Sequence, residues 1–247
     1  MSQQRTDAKT YRINLFSTFI GWTFGVPWTI LIALSALLVF AIVRKGHVVH
    51  SHSKVWARGL LKLTGISVKI HGLEQIPKDQ PVLIVANHQS MCDILALAGY
   101  LPIPFSWIAK KELFKIPIFG TAMTAAKYIP IDRKNRENAY KTLDLAADVL
   151  QSQSVLIFPE GTRSRTGEVR KFKYGAAHII MNSNQPVLPI AITNSFERMP
   201  PDRMGILPGN IQVRILPIIS TEGLDRRKSV LLLSRLQQEI SAIVAES

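Results

Sequence analysis

The sequence contains little cysteine and little acidic charge. Cys92 is the only cysteine among 247 residues, so an intrachain disulfide is impossible and cysteine usage gives no support to an extracellular location. The 17 Asp and Glu residues are outnumbered by 30 Lys and Arg, which gives a formal net charge of +13. A surplus of this size attracts polyanions, which means either a nucleic acid or an anionic membrane surface.

Charge is also absent from a long N-terminal stretch, because no residue from Ile13 to Val43 carries one. A straight helix over this stretch would be about 46 Å long, well beyond a hydrocarbon core of roughly 30 Å. Residues that disfavour a helix interrupt it: Gly21, Gly25 and Pro27. We therefore predict two shorter segments, residues 13–25 and 28–43, that form either a membrane hairpin or a kinked, tilted span.

Basic residues flank this stretch on both sides: Arg5, Lys9, Arg12, Arg44 and Lys45. A hairpin with both ends in the cytoplasm suits this symmetry, because positive charge is favoured on that side. The run is too long for a cleaved signal peptide and has no clear cleavage site. A buried pair of core helices is the alternative. We predict a membrane anchor over residues 1–50 and a second domain over residues 51–247.

Residues 44–65 combine histidines and other basic residues with Trp56 and several leucines. This composition is typical of a helix at the membrane interface, with basic and aromatic side chains at headgroup level. No cysteine or carboxylate accompanies the histidines, so the pattern does not favour a metal site.

From Ile66 onward, short apolar runs alternate with longer helical patterns. The predicted strands are 66–71, 82–86, 105–109, 127–132, 154–158, 187–193 and 211–218. The predicted helices are 91–101, 117–125, 135–152, 174–183 and 226–245. This alternation predicts an α/β domain with a largely parallel or mixed sheet flanked by helices. In such sheets, functional sites form beyond the carboxyl ends of the strands.

A buried strand, a sharp turn and a helix are predicted over residues 82–101, where five apolar residues lead directly into Asn87 and His88. Asp93 follows His88 by five residues, a poor spacing for two groups on one helix face. The pair fits if His88 lies just outside the helix, with Ser90 as N-cap and Asp93 in the first turn. The carboxylate could then hold one imidazole nitrogen and leave the other free to take a proton. The alternative is that Ser90 and Asp93 only cap the helix while His88 fills a turn.

Cations follow closely after three later strands. They are Lys110 and Lys111 after the third, Arg133 after the fourth and Arg163 after the fifth. Gly161, in the same turn as Arg163, permits close backbone approach. Further basic residues follow: Arg165, Arg170, Lys171 and Lys173. Converging near His88, such groups would hold a phosphate, Arg by paired hydrogen bonds and Lys as a point charge. The alternative is a set of solvated surface loops.

Four stretches in a fixed order carry a family resemblance. Asn87–Asp93 has the spacing His, four residues, Asp, and it is followed by Ile131–Arg133, Phe158–Ser164 and Val187–Ile192. In this order they resemble the motif blocks of the glycerolipid acyltransferases, and most of all the bacterial 1-acyl-sn-glycerol-3-phosphate acyltransferases. The third stretch contains Glu-Gly-Thr-Arg, which makes the resemblance specific. The resemblance covers residues 45–220, and the uncharged N-terminal stretch also suits these membrane enzymes.

The resemblance implies that His88 is the general base on the 2-hydroxyl of lysophosphatidic acid and that Asp93 orients it. The alkoxide would attack the thioester of acyl-CoA or acyl-carrier protein, giving phosphatidic acid without a covalent acyl-enzyme. The substrate phosphate would be bound by Arg163, Lys110 and Arg133. The site would be organised by Glu160, Gly161 and Thr162, with Glu160 orienting Arg163 or the turn. No cofactor, metal or nucleic-acid partner is implied. We expect contact with membrane lipids in the cytoplasmic (inner) membrane, with the catalytic domain facing the cytoplasm.

Three other functions remain open on these residues. The same chemistry could act on another acceptor, such as a lyso-ornithine lipid, glycerol 3-phosphate or another lysophospholipid. A membrane-bound hydrolase could use His88 and Asp93 with Ser90 or Cys92 as the nucleophile. A non-enzymatic basic module could bind a membrane or a nucleic acid, but it gives no reason for Asp93 or Glu160 among the cations.

Overall fold

The computed structural model describes residues 13–246, so the predicted basic flank Arg5, Lys9 and Arg12 lies outside the described residues. The helices are α1 (Leu15–Val43), α2 (Gly46–Leu63), α3 (Met91–Tyr100), α4 (Phe119–Ala125), α5 (Arg136–Val149), α6 (Gly175–Ser183) and α7 (Arg226–Ala245). The strands are β1 (Ile66–His71), β2 (Leu83–Ala86), β3 (Phe105–Lys110), β4 (Ile129–Ile131), β5 (Ser154–Ile157), β6 (Val187–Thr193) and β7 (Gly209–Ile215). Short 3₁₀ helices occupy Leu73–Gln75 and Lys111–Lys115.

Within the described residues, seven strands form one sheet in the order β1-β7-β6-β2-β5-β3-β4. Neighbouring strands are parallel except β6 and β7, which are antiparallel. The prediction of an α/β fold with a mixed, mostly parallel sheet is therefore confirmed. The connection from β2 to β3 runs toward the β4 edge of the sheet, and the connection from β5 to β6 runs toward the β1 edge. A crevice forms at such a reversal, so the carboxyl end of β2 is the expected place for a site.

The central strand β2 is apolar and buried along its whole length. This fits its place in a sheet whose two faces are both covered by helices. Ile84 and Ala86 pack into one core together with residues of α2 and α3. Leu83 and Val85 point the other way, into a core completed by α5, α6 and α7. This two-sided burial fixes the register of β2 and, with it, the position of the turn that follows.

The N-terminal apolar stretch forms one continuous helix, α1, with Pro27 inside it. The predicted division into two segments is wrong, and the hairpin that requires it is wrong as well. The glycines are contact points rather than breaks. A Cβ atom at Gly21 would lie 2.6 Å from the Ile206 side chain, and one at Gly25 would lie 3.0 Å from that of Leu60. Glycine at these positions lets neighbouring segments approach α1 closely.

Only small residues of α1 are buried: Ser17, Gly25, Ala33 and Ala36. Many of its large apolar side chains are exposed, including Leu15, Phe16, Phe19, Leu31 and Leu38. Among the described residues, α1 is the helix that is long and apolar enough to cross a membrane. One face of α1 therefore packs on the protein, and the other presents a large apolar surface.

The helix predicted over residues 44–65 is present as α2, which packs against α1 and α3, while its place at the membrane interface stays a prediction. His50 of α2 is buried, and its Nδ1 lies 3.0 Å from the Tyr128 hydroxyl. The proposed boundary at residue 50 falls inside this helix. The division into residues 1–50 and 51–247 stays a prediction.

Candidate active site

The turn that follows β2, residues 87–90, is called the histidine turn below. Its first residue, Asn87, is fully buried and its amide pairs with the backbone of Ile192. Asn87 Nδ2 donates to the Ile192 carbonyl at 2.8 Å, and Asn87 Oδ1 accepts from the Ile192 amide at 2.7 Å. These bonds extend the pairing of β2 with β6 beyond its last residue pair, Ala86 with Ile190. The backbone can therefore turn away while it stays attached to the sheet.

Loops that follow β5 and β6 hold the rest of the histidine turn. The His88 carbonyl accepts a hydrogen bond from the Ser164 amide at 2.9 Å. The Gln89 side chain donates to the Gly167 carbonyl. The Ser90 hydroxyl donates to the Met199 carbonyl at 2.8 Å. Contacts from two separate loops thus fix the position of the His88 backbone.

His88 and Asp93 form a buried pair, as the sequence predicted. Ser90 is the N-cap of α3 and Asp93 completes a capping box, so the carboxylate points back toward the histidine turn. His88 Nδ1 lies 2.9 Å from Asp93 Oδ2. The same oxygen accepts from the backbone amides of Gln89 at 2.6 Å and Ser90 at 2.7 Å. With Nδ1 held in this way, Nε2 is the ring nitrogen that can take a proton.

An aromatic ring fixes the plane of the imidazole. The His88 ring stacks on the Phe158 ring, with centroids 4.0 Å apart and an angle of 9° between the planes. Trp107 lies beyond Phe158, at a centroid distance of 5.8 Å. Aromatic packing on one face and a carboxylate at one nitrogen together allow the imidazole little rotation.

Glu160 connects the histidine turn to the loop after β5. This carboxylate is 1% exposed and accepts from the His88 amide at 2.6 Å and from the Arg170 amide at 3.0 Å. Burial raises the pKa of Glu160 to about 7, although both backbone hydrogen bonds act in the opposite direction. Its two hydrogen bonds thus go to the backbone amides of His88 and Arg170, and the role of Glu160 in organising the site stays a prediction.

The predicted cations lie at the same edge of the sheet as His88. Lys110 ends β3 opposite Ile131 of β4, and its side chain is exposed. Arg133 follows β4 and donates from Nη1 to the Gly161 carbonyl, which brings the loops after β4 and β5 together. Arg163 is half-buried in that second loop, next to the exposed Thr162.

Two lysines near this edge have specific neighbours. Lys111 forms an ion pair with Asp132, and this contact lowers the pKa of the Asp132 carboxyl. Gly161 has a positive φ of 71°, and the Lys173 ammonium would lie 2.8 Å from a Cβ atom placed there. A side chain at Gly161 would therefore be strained and would displace Lys173.

Neither predicted rival nucleophile is available for attack. Cys92 is 2% exposed, and burial raises the pKa of its thiol to about 12. The Ser90 hydroxyl donates to Met199 and accepts from the Cys92 amide at 3.1 Å, so it is used as a helix cap. This geometry disfavours the hydrolase reading, which requires one of these groups beside the imidazole.

Sequence reasoning did not assign roles to Asn87, Gln89 or Phe158, and it placed Lys173 only among the cations that could hold a phosphate. Asn87, Gln89 and Phe158 stand inside the quoted motifs, so their positions were visible. The partners of Asn87 and Gln89 were not, because Ile192 and Gly167 are far from the histidine turn in sequence.

Comparison with known proteins agrees with this geometry. The family model described as Acyltransferase matches residues 67–193, which include the histidine turn, Asp93, Glu160 and Arg163. The chain therefore belongs to the acyltransferase family.

Within that family, it is similar to proteins named 1-acyl-sn-glycerol-3-phosphate acyltransferase. The one from Pseudomonas aeruginosa is 37% identical over 197 residues, covering 77% of this chain and 76% of that protein. The alpha form from Mus musculus is 36% identical over 213 residues, covering 83% of this chain and 73% of that protein. The crystal structure of the 1-acyl-sn-glycerophosphate (LPA) acyltransferase PlsC from Thermotoga maritima superposes with a TM-score of 0.78 at 26% identity, covering 93% of this chain and 96% of that one. The resemblance seen in the sequence is thereby confirmed.

Proposed function

We propose that this protein transfers an acyl chain from an acyl thioester to the 2-hydroxyl of 1-acyl-glycerol-3-phosphate, giving phosphatidic acid. One observation carries the proposal: the buried contact of 2.9 Å between His88 Nδ1 and Asp93 Oδ2, at the sheet edge that also bears the cations. A general base beside phosphate-binding groups is what this reaction needs. The relatives named for this activity support the assignment.

In the proposed reaction, His88 Nε2 removes the proton from the 2-hydroxyl. The hydroxyl oxygen attacks the thioester carbonyl, and the tetrahedral intermediate collapses by breaking the carbon–sulfur bond. The imidazolium then returns its proton to the departing thiolate. The Asp93 carboxylate stabilises the imidazolium while it exists. A thioester is already activated, so the acyl group can pass to the acceptor without a covalent acyl-enzyme.

The acceptor phosphate would bind among Arg163, Arg133 and Lys110. Arg133 uses one N–H group on the Gly161 carbonyl, and its remaining donors can face a phosphate. Arg163 can give the paired hydrogen bonds that a phosphate accepts best, and Lys110 adds a point charge. Either acyl-CoA or acyl-carrier protein would serve as donor.

The apolar surface of α1 supports membrane association, as an anchor that brings the site to its lipid substrate. We propose the cytoplasmic (inner) membrane as the location, with the α/β domain on the cytoplasmic side. Full-length protein should sediment with membranes and resist extraction by high salt. Recovery in the soluble fraction without detergent would contradict the anchor.

The assay for the activity offers a labelled acyl donor to the purified protein with a panel of acceptors. We expect labelled phosphatidic acid when 1-acyl-glycerol-3-phosphate is present, and little thioester loss when it is absent. If only a lyso-ornithine lipid or another lysophospholipid were labelled, that lipid would be the acceptor instead. Rapid thioester loss without an acceptor would indicate that the protein is a hydrolase rather than a transferase.

A further inference from the structure

Residues 198–208, the larger part of the loop between β6 and β7, contact both the histidine turn and α1 and are called the 198–208 loop below. It is closed at its base: the Leu207 amide donates to the Arg198 carbonyl at 2.9 Å, and Arg198 Nη1 donates to the Pro208 carbonyl at 2.6 Å. These bonds join the two ends of the 198–208 loop, so the residues at its tip and at its base belong to one closed loop.

The base of the 198–208 loop binds the histidine turn. The Met199 carbonyl accepts from the Ser90 hydroxyl at 2.8 Å. The Ser90 oxygen also accepts from the Cys92 amide at 3.1 Å and so caps α3. Asp93 stands in the first turn of that helix, and its carboxylate holds the His88 ring. The position of Met199 therefore bears directly on the cap that places the catalytic pair.

The tip of the 198–208 loop binds the first turns of α1. The Trp22 indole donates from Nε1 to the Met204 carbonyl at 2.8 Å. The Ile206 amide donates to the Thr18 hydroxyl at 2.9 Å. The packing is close as well, because a Cβ atom at Gly21 would lie 2.6 Å from the Ile206 side chain. These are directed contacts on a helix whose other face is apolar and exposed.

We propose that Thr18 and Trp22 are positioning residues for acyl transfer, acting through the 198–208 loop on Ser90 and thus on His88. The proposal rests on the proposed function above. Neither residue touches a reacting atom. Their hydrogen bonds hold the tip of the loop, the closed base carries that constraint to Met199, and Met199 holds the cap of α3. The helix α1 would then contribute to catalysis as well as to membrane association.

The experiment compares full-length variants in the same detergent or lipid vesicles. Thr18→Val with Trp22→Phe removes the hydrogen bonds of both side chains to the 198–208 loop, together with that of the Thr18 hydroxyl to the Asn14 carbonyl. Valine keeps the shape of threonine, and phenylalanine keeps an aromatic ring at position 22. Trp28→Phe is the matched control, since it removes an indole bond from the same helix to the Trp56 carbonyl of α2, at 3.1 Å. Thr18→Ser with Trp22 intact keeps the hydroxyl and serves as the conservative variant.

Two readouts are measured. The first is hydrogen exchange of the peptides that contain residues 88–93 and 198–207, which needs no activity. We expect faster exchange in both peptides for the double variant and wild-type exchange for Trp28→Phe and Thr18→Ser. The second is steady-state kinetics, where kcat should fall about tenfold in the double variant and the acceptor KM should stay within about twofold, as for a loss of two ordinary hydrogen bonds that act on geometry rather than on binding.

Unchanged exchange at residues 88–93 in the double variant would overturn the proposal, and so would an equal fall in kcat for Trp28→Phe. If the double variant does not fold, Thr18→Val alone decides by the same criteria. Failure of the proposed function is a separate result: wild-type protein would then give no phosphatidic acid, while the exchange measurement would still decide the coupling.

Discussion

Replacement of Asp93 by asparagine tests the catalytic pair with little change of shape. Asp93 Oδ2 accepts from His88 Nδ1 and from the backbone amides of Gln89 and Ser90. The two backbone amides require an acceptor at this position, so an asparagine would place its carbonyl oxygen there. The imidazole would keep a hydrogen-bond acceptor and lose only the negative charge.

The expected loss follows from the burial of the pair. Asp93 is 0% exposed and His88 is 9% exposed, so the imidazolium formed during reaction would have no counter-ion in Asp93→Asn. Removing one partner of a buried ion pair costs about 3 kcal/mol or more. Applied to the transition state, about 3 kcal/mol lowers kcat roughly a hundredfold. The acceptor KM should change little, because the ion pair with Asp93 is needed only when the imidazole takes the proton during the reaction.

The assay is steady-state acyl transfer to 1-acyl-glycerol-3-phosphate, with thermal unfolding as a check on folding. Asp144→Asn is the matched control, because it changes a second His–Asp contact, at 2.6 Å to His178, away from the site. We expect wild-type kcat for the control. A folded Asp93→Asn protein with wild-type kcat would refute the reasoning, and so would an equal loss in Asp144→Asn.

Three further predictions concern other residues of the site. Burial raises the pKa of Glu160 from 4.5 to about 7, so ionisation of this carboxyl opposes folding. The free energy of unfolding relative to Glu160→Gln should be highest below pH 4.5 and fall by up to about 3 kcal/mol as the pH rises through 7. Urea unfolding at a series of pH values measures this, and the same pH dependence in both proteins would contradict it. Arg163→Lys should raise the acceptor KM more than the donor KM, because lysine cannot give paired hydrogen bonds to a phosphate; unchanged acceptor kinetics in this variant and in Arg163→Ala would remove Arg163 from the site. Cys92→Ala should retain kcat and lose about 1 kcal/mol of stability from a small cavity, whereas loss of acyl transfer in the folded variant would restore Cys92 as a nucleophile.

Much of the sheet could be predicted because each strand is a short apolar run with clear ends. The structure has β1 over Ile66–His71 and β6 over Val187–Thr193, as predicted, and α7 over Arg226–Ala245. The fourth strand is shorter than predicted, Ile129–Ile131 rather than 127–132. Lys127 and Tyr128 instead close the end of α4, because Lys127 has a positive φ of 61° and the two amides donate to the carbonyls of Thr124 and Met123.

The N-terminal helix shows why a local rule can fail. Gly21 and Gly25 were interpreted as interruptions because glycine weakens an isolated helix. In the structure, they are sites of close approach by Ile206 and by Leu60 of α2. Tertiary packing compensates for the lower helix propensity, and only a knowledge of the neighbouring segments could have shown it.

The candidate site likewise has a local contact that the sequence could predict and long-range contacts that it could not. The contact of His88 with Asp93 was predictable because an N-cap at Ser90 fixes both residues within one turn of chain. The supports of the histidine turn were not predictable, because Ile192 of β6 and Met199 of the loop after it are distant in sequence, at separations of 105 and 109 residues from their partners. Sequence patterns predict the geometry of neighbouring residues, whereas these long-range contacts depend on the order of the strands in the sheet.

The measurement that tests the central claim most directly is the kcat/KM of His88→Ala for acyl transfer to 1-acyl-glycerol-3-phosphate. The variant should fold, because the His88 amide donates to the Glu160 carboxylate and the His88 carbonyl accepts from the Ser164 amide, and neither bond uses the His88 side chain. General-base catalysis contributes about 10²–10⁴-fold, so kcat/KM should fall by at least about a hundredfold while lysophosphatidic acid still binds. A folded His88→Ala protein that retains near-wild-type transfer would contradict the assignment of His88 as the general base.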